Sequence, residues 1–183
     1  MDEFSIERLE AFAQEAHQVA VDHGWWDGDD RDNRELMALI HSEISEALEE
    51  YRSKRGMIWY AENGKPEGIA IELIDAVIRI CDFMKHRGIP FKKAENRDLE
   101  AKSDLPVLAG FLHSLVGSLM WEDNLSWEDG RILNKKPVSR HLSEVCYIIY
   151  CWLDIRGFDI WQLLEIKHNY NKTRPYRHGN KVC

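Results

Sequence analysis

The sequence predicts an all-α protein built as one domain. Apolar residues recur at helical spacing along most of the chain, and no segment shows the period-two alternation of a half-buried strand. Glycine, proline and capping residues divide the periodic stretches into about six helices. A length of 183 residues suits a single domain (1–183), or two tightly packed halves, with enough apolar material for a core.

The first predicted helix runs from about residue 4 to residue 23, where apolar side chains fall at helical spacing, and it ends at Gly24. A polar loop follows, and Asp32 or Asn33 is placed to cap the second helix, with Glu35 supporting an Asp32 cap reciprocally. That helix extends to about Lys54.

The rest of the chain follows the same rules. The connection after the second helix contains three glycines and a proline and is predicted as a loop or lid. The charged segment 92–104 is a short helix or a linker. Asp159 is predicted to cap the last helix. Four more helices are predicted, at about residues 68–87, 106–121, 139–156 and 160–170.

Composition excludes some classes of function. The net charge of −8 argues against long nucleic acid as a partner, although it allows a small phosphorylated ligand beside a divalent cation. No apolar run approaches the ~20 residues of a membrane span, and the acidic N-terminus does not resemble a signal peptide. The four cysteines lack CxxC spacing, so we expect a reducing, cytoplasmic setting: Cys81, Cys146, Cys151 and Cys183.

Two helices carry acids where an amphipathic helix would carry apolar side chains. Glu43 projects into the apolar arc of the second helix, and Glu46 lies beside it. Glu72 and Asp75 stand three apart on a third helix that is apolar almost all round. An ionised carboxylate that faces a core is costly unless it is paired or binds a metal. Four inward carboxylates therefore outline a site for a hard cation.

Two less specific interpretations compete with a metal site. Glu-x-x-Glu pairs occur on many solvated helices without any function. Arg79 lies four and seven residues beyond Asp75 and Glu72, so it is placed to form a buried salt-bridge network with them. Two acidic pairs, both on faces that would otherwise be buried, favour the metal site.

The sequence also contains an internal repeat, with pseudo-repeats of about 33–91 and 105–160. LMALIHSEISEALE aligns with LAGFLHSLVGSLMW through the His-Ser pairs that begin at His41 and His113. Three of the four acids are lost in the second copy, where Leu, Ser and His replace Glu43, Glu46 and Glu72, and a Glu stands at the position of Asp75. The alternative is that helices of similar composition imitate a repeat.

Glu43-x-x-Glu46 followed by Glu72-x-x-Asp75 resembles the ExxE…ExxD signature of the all-α nucleoside triphosphate pyrophosphohydrolases, the MazG-like and dimeric dUTPase group. The segment KHNYNKTRPYRHGNK resembles the K-x₃-N-x₂-R tail of many MazG-like proteins. The resemblance implies a MazG-like helical bundle. It also implies Mg²⁺-dependent hydrolysis of an NTP or dNTP to the monophosphate and pyrophosphate, which would serve nucleotide-pool cleansing.

The implied chemistry suits the residues. Mg²⁺, for which Mn²⁺ is a possible substitute, prefers carboxylate, water and phosphate oxygens, and the four acids offer no soft ligand. Glu43 or Glu46 is the candidate to orient or deprotonate the attacking water, and the sequence does not choose between them. Pyrimidine deoxynucleotides such as dUTP or dCTP follow from the dimeric dUTPase resemblance, while broad MazG-like specificity is equally admissible.

The C-terminal segment 167–183 is basic and contains no acid, which suits a triphosphate. By the family pattern, Lys167, Asn171 and Arg174 contact phosphate or sugar. Weaker candidates for the same role are Tyr176, His178 and Lys181.

Aromatic residues are the candidates for stacking on a base. Trp25 or Trp26 resembles a family position near the nucleobase, although core packing explains a tryptophan nearly as well. Trp59 and Tyr60 on the lid-like loop are further candidates. His41 is expected to be a core histidine or a partner of the carboxylates.

Two other classes of function stay open. A non-catalytic nucleotide-binding and Mg²⁺-binding sensor or interaction protein is compatible with a degenerate second half. A di-iron carboxylate protein is disfavoured, because such sites use Glu-x-x-His pairs and only the reversed His141-x-x-Glu144 occurs. We expect a nucleoside triphosphate as ligand, no membrane or nucleic-acid partner, and either a homodimer or a single-chain pseudo-dimer.

Overall fold

A computed structural model describes residues 4–28, 31–94, 98–121, 127–128, 131–132 and 135–177. This part of the chain is mostly helical, as predicted. The helices and strands are α1 (Ile6–Asp22), α2 (Asn33–Arg52), β1 (Trp59–Tyr60), β2 (Pro66–Glu67), α3 (Ile69–His86), α4 (Asp98–Ala101), α5 (Leu105–Trp121), β3 (Trp127–Glu128), β4 (Arg131–Ile132), α6 (Lys135–Ile155) and α7 (Ile160–Lys172).

Two small hairpins correct the prediction that the chain contains no sheet. Strand β1 pairs antiparallel with β2, and β3 pairs antiparallel with β4. Each strand has only two residues, which is too short for any alternation to be visible in the sequence. Helix α6 also begins four residues before the predicted start near Ser139, because Pro137 is tolerated within a first turn.

Helix α3 lies at the centre of the fold. Helices α1, α2, α6 and α7 all pack against it, while α2 also packs on α5 and α5 on α6. Most of the side chains of α3 are buried, which agrees with its apolar sequence. Four helices therefore surround most of α3, and the polar side chains that it carries lie close to residues of other helices.

The predicted N-caps are present. The Asp32 carboxylate accepts a hydrogen bond from the Arg34 amide at 2.7 Å, and Asp159 accepts from the amides of Trp161 and Gln162. Glu35 does not complete a reciprocal cap, since its carboxylate accepts from Arg31 Nε at 3.1 Å instead. The caps satisfy amides that a helix leaves without partners.

In the described ranges, no helix combines the length and the apolar character that would let it cross a bilayer.

The start of α3 depends on Gly68. This residue has φ +111°, ψ 169°, a region that is almost restricted to glycine. The carbonyl groups of Gly56 and Met57 accept hydrogen bonds from the first two amides of α3. A Cβ on Gly68 would lie 2.8 Å from both of these carbonyl oxygens. The backbone therefore caps α3 where no side chain can fit.

We expect Gly68→Ala to lower the free energy of unfolding by at least about 2 kcal/mol, because it adds a clash to an unfavourable φ. Gly64→Ala is the matched control, since Gly64 has φ +78° but nothing lies within 4 Å of the point that its Cβ would occupy. Urea denaturation of both variants checks the prediction, and equal losses would contradict it.

Candidate functional site

Three carboxylates from α2 and α3 meet in one cluster. Ligand oxygens of Glu43, Glu46 and Glu72 all lie within 4.8 Å of one another. Glu43 is 6% exposed and Glu72 4% exposed, whereas Glu46 lies at the solvent-facing rim. The cluster therefore has a buried floor and an open side.

Basic side chains contact the acids of this cluster. Arg79 Nε donates to Glu43 Oε1 at 2.6 Å, and Lys167 Nζ lies 2.7 Å from Asp75 Oδ2. The hydrogen-bond partner of Arg79 is thus on α2, rather than Glu72 or Asp75 on its own helix. Lys167 is buried, so it holds Asp75 in place and is not open to solvent.

Burial makes the carboxylates hard to ionise. Burial, the charge of Asp75 and a hydrogen bond with Glu67 raise the pKa of Glu72 to about 9. Burial also raises the pKa of Glu43 against the opposing effect of Arg79, and that of Asp75 against the effect of Lys167. The two cations therefore do not fully compensate the acids, and the site retains an affinity for a proton or a metal cation.

The donor atoms define which cation fits. Glu43, Glu46 and Glu72 offer only carboxylate oxygens at mutual distances that one ion can bridge. Oxygen-only sites suit hard divalent cations, whereas zinc sites usually include nitrogen or sulfur. The cluster can therefore hold a metal ion of the hard class.

A cleft of about 210 Å³ opens beside the cluster, several times the roughly 30 Å³ of a water molecule in the liquid. The three acids and Asp75 line one part of it, together with Arg79 and Lys65. The rest of its wall comes from α1 and the loop after it, from the first half of α2, from the second half of α3, and from α7 and the residues that follow α7. Those wall residues include His23, Trp25, Asp82, Phe83, His168, Asn171 and Arg174.

The two adjacent tryptophans have different positions. Trp25 lines the cleft, with the Arg31 guanidinium 5.9 Å from its ring centre. Trp26 is not among the described residues that line the cleft. Its ring stacks on His86 at 3.5 Å, and its Nε1 donates to Asp82 at 2.9 Å. Trp25 therefore forms part of the cleft wall, whereas Trp26 anchors the loop to α3.

The other aromatic candidates lie outside the lining of the cleft. Trp59 Nε1 donates to Glu50 at 2.7 Å, which attaches the hairpin to α2, and Tyr60 is mostly exposed. Among the contacts of the described residues, none joins the His41 ring to the carboxylates. It stacks on His113, and their Nδ1 atoms are 2.7 Å apart.

The described part of the basic tail folds back over the loop after α1. Tyr176 Oη donates to Asp27 at 3.0 Å, and Arg177 donates to the Gly24 carbonyl. Arg174 and Asn171 line the cleft, and the buried Oδ1 of Asn171 has no hydrogen-bond partner among the residues described. His178 and Lys181 lie outside the described residues.

Sequence reasoning missed three residues of the site. Lys65 and Glu67 sit in the first hairpin, 2.7 Å apart, and Glu67 hydrogen-bonds Glu72. No spacing rule connects that loop to α3. Asp82 lies seven residues after Asp75 on the same face of α3, so helical periodicity could have found it.

No protein-family model matches the chain, and no curated protein or solved structure matches it.

The raised pKa of Glu72 gives the metal-free protein a pH-dependent stability. Between pH 4.5 and about 9 the native state binds a proton that the unfolded chain has released, so the free energy of unfolding falls as pH rises. We expect denaturant midpoints in EDTA to fall across this range, and Glu72→Gln to reduce the slope.

Calorimetric titration with Mg²⁺ should show affinity rising by up to about tenfold per pH unit. A flat wild-type profile would contradict the assignment.

Gly24 allows the tail to dock. It has φ +76°, and a Cβ there would overlap the Tyr176 ring. We expect Gly24→Ala to speed proteolysis of the tail and to cost about 1 kcal/mol more than Gly28→Ala, because the Tyr176 ring must leave its place whereas Gly28, with φ +94°, has open space around it. If Tyr176→Ala in the Gly24→Ala background restores no stability, the clash is not the cause.

Proposed function

We propose that the chain is a Mg²⁺-dependent nucleoside triphosphate pyrophosphohydrolase related to the MazG-like group. It would convert an NTP or dNTP, with dUTP or dCTP favoured, to the monophosphate and pyrophosphate, and so remove unwanted nucleotides from the cellular pool. One observation carries the proposal: an oxygen-only cluster of three acids, two of them buried, opens onto a cleft whose lining also includes arginines and a tryptophan.

The cluster would hold Mg²⁺, with Mn²⁺ as a substitute, through Glu43, Glu46 and Glu72. Asp75 lies in the same cleft and would join them if Lys167 gave way. When bound, such an ion neutralises phosphate charge and lowers the pKa of a coordinated water. An oxygen-only donor set that leaves one side open to solvent suits a cation that keeps water and phosphate in its shell.

The contacts favour Glu46 over Glu43 as the residue that orients the attacking water. Glu43 Oε1 already accepts from Arg79 at 2.6 Å, and the side chain is buried. Glu46 is exposed, and its described hydrogen bond is a single one from Ser42 Oγ at 2.9 Å. A general base needs such an accessible lone pair within reach of the water.

Arginines and a lysine would bind the phosphates. Arg79, Arg174 and Lys65 line the cleft around the acids. Arginine suits phosphate because its planar fork can donate two parallel hydrogen bonds. Lys167 is assigned a different role from the one that the family pattern implies, since its buried ion pair positions Asp75.

The proposed MazG-like architecture includes an internal duplication. The arrangement helix–hairpin–helix occurs at α2–β1–β2–α3 and again at α5–β3–β4–α6. His41 contacts His113, its own equivalent 72 residues later. Ser118 and His141, the equivalents of Glu46 and Glu72, also contact each other, with Ser118 Oγ 3.0 Å from His141 Nδ1. The first contact joins a residue to its own equivalent, as happens at a two-fold axis, and the second repeats within the second copy the proximity of Glu46 and Glu72 in the first.

A non-catalytic nucleotide sensor is the second candidate. The ion pairs of Glu43 with Arg79 and of Asp75 with Lys167 favour this candidate, because two of the four acids are already paired with a basic side chain. Binding of nucleotide and Mg²⁺ without turnover would select this alternative.

Glu46→Gln should lower pyrophosphate release at least about a hundredfold, because it removes a metal ligand and the proposed base. Glu49→Gln is the matched control, since Glu49 is an exposed acid on the same helix that accepts from Arg52. The assay is a panel of all NTPs and dNTPs with Mg²⁺, in which monophosphate and pyrophosphate are quantified. Full activity in EDTA, or full activity of a folded Glu46→Gln variant, would contradict the proposal.

A further inference from the structure

Helix α3 presents a stripe of charged side chains to the cleft. Asp75, Arg79 and Asp82 are spaced by four and three residues, so they share one face, and all three line the cleft. At 1.5 Å per residue, Asp82 lies about 10 Å along the helix axis from Asp75. The stripe therefore separates the acidic cluster from a second carboxylate at the other end of the cleft, next to Phe83 and close to Trp26.

The Asp82 carboxylate is held in a fixed orientation. His17 Nδ1 lies 2.7 Å from Asp82 Oδ1 and must be the donor, because a carboxylate only accepts. Trp26 Nε1 donates to the same oxygen at 2.9 Å, and its ring is clamped against His86. Two donors on Oδ1 fix the side chain in space.

The second oxygen of Asp82 keeps most of its acceptor capacity. Within the described structure, Oδ2 receives only the longer arm of the bifurcated Trp26 bond, at 3.2 Å. The side chain is 20% exposed and faces the cleft, where a ligand can replace solvent. If Asp82 served only to anchor Trp26 and His17, its Oδ2 would not need to face the cleft.

We propose that Asp82 determines base specificity by accepting, through Oδ2, a hydrogen bond from an exocyclic amino group of the nucleobase. This inference rests on the proposed function and names its substrate class, namely nucleotides with an amino-bearing base such as cytosine. Cytosine presents an amino donor at the position where uracil presents a carbonyl oxygen. A carboxylate that faces this carbonyl is left unpaired and repelled, so the site discriminates against uracil.

The test compares kcat/KM for dCTP and dUTP with Mg²⁺. The wild-type protein should prefer dCTP at least about tenfold, the range of one hydrogen bond to a charged group. Asp82→Asn should reduce this ratio about tenfold or more. The amide oxygen can still accept a hydrogen bond from His17 or Trp26, and the amide N–H can donate to the carbonyl oxygen of uracil. Asp22→Asn is the control that should leave the ratio unchanged, since Asp22 is exposed, accepts from Gln18 and lies outside the lining of the cleft.

Titration with dCMP and dUMP in the presence of Mg²⁺, followed by tryptophan fluorescence, separates this inference from the proposed function. If dCMP binds at least about tenfold tighter than dUMP but no triphosphate is hydrolysed, the base assignment stands and the hydrolase proposal fails. If hydrolysis occurs with equal kcat/KM for dCTP and dUTP, the base assignment is overturned and the hydrolase proposal stands. An unchanged ratio in folded Asp82→Asn overturns it as well. The wild-type ratio decides alone if that variant does not fold.

Discussion

The crowding of acids between α2 and α3 is the constraint on which the rest of the structure depends. The packing of other helices on α3 buries Glu43, Glu72 and most of Asp75, and Arg79 and Lys167 offset only part of the cost of that burial. Such a group is stable when protonated or when bound to a cation. A divalent cation bound by these acids would therefore stabilise the fold, so that stability and cation binding would be linked.

Periodicity predicted the helical class and the inward direction of Glu43 and Glu72, because a helix fixes which side chains share a face. It could not predict that Lys167 pairs with Asp75, since the two residues are 92 positions apart and only tertiary packing joins them. The same limit applied to Trp25 and Trp26. The loop between α1 and α2 has no period, so nothing in the sequence showed which ring would face the cleft. The hairpins, at two residues a strand, carry no pattern at all.

The loop after α1 connects elements that are far apart in sequence. Trp26 of this loop and His17 of α1 both hydrogen-bond Asp82 on α3. On the other side, Asp27 accepts a hydrogen bond from Tyr176 of the tail and the Gly24 carbonyl accepts one from Arg177. One wall of the cleft is therefore built from three separate stretches of the chain. Because Trp25 lies within this loop, the position of its ring depends on contacts made on both sides of it. Basic residues that follow α7, such as Arg174, are brought to the cleft by the same docking.

The contact between His41 and His113 makes the two imidazole rings chemically different. With 2.7 Å between two Nδ1 atoms, one ring must donate and the other must accept, so the two imidazoles hold different tautomers. Burial lowers the pKa of both, which disfavours a state in which each ring carries two protons. Two identical chains joined at this point would be distinguished by the location of a single hydrogen atom. The asymmetry of this contact therefore resides in one proton and is invisible in the amino-acid sequence.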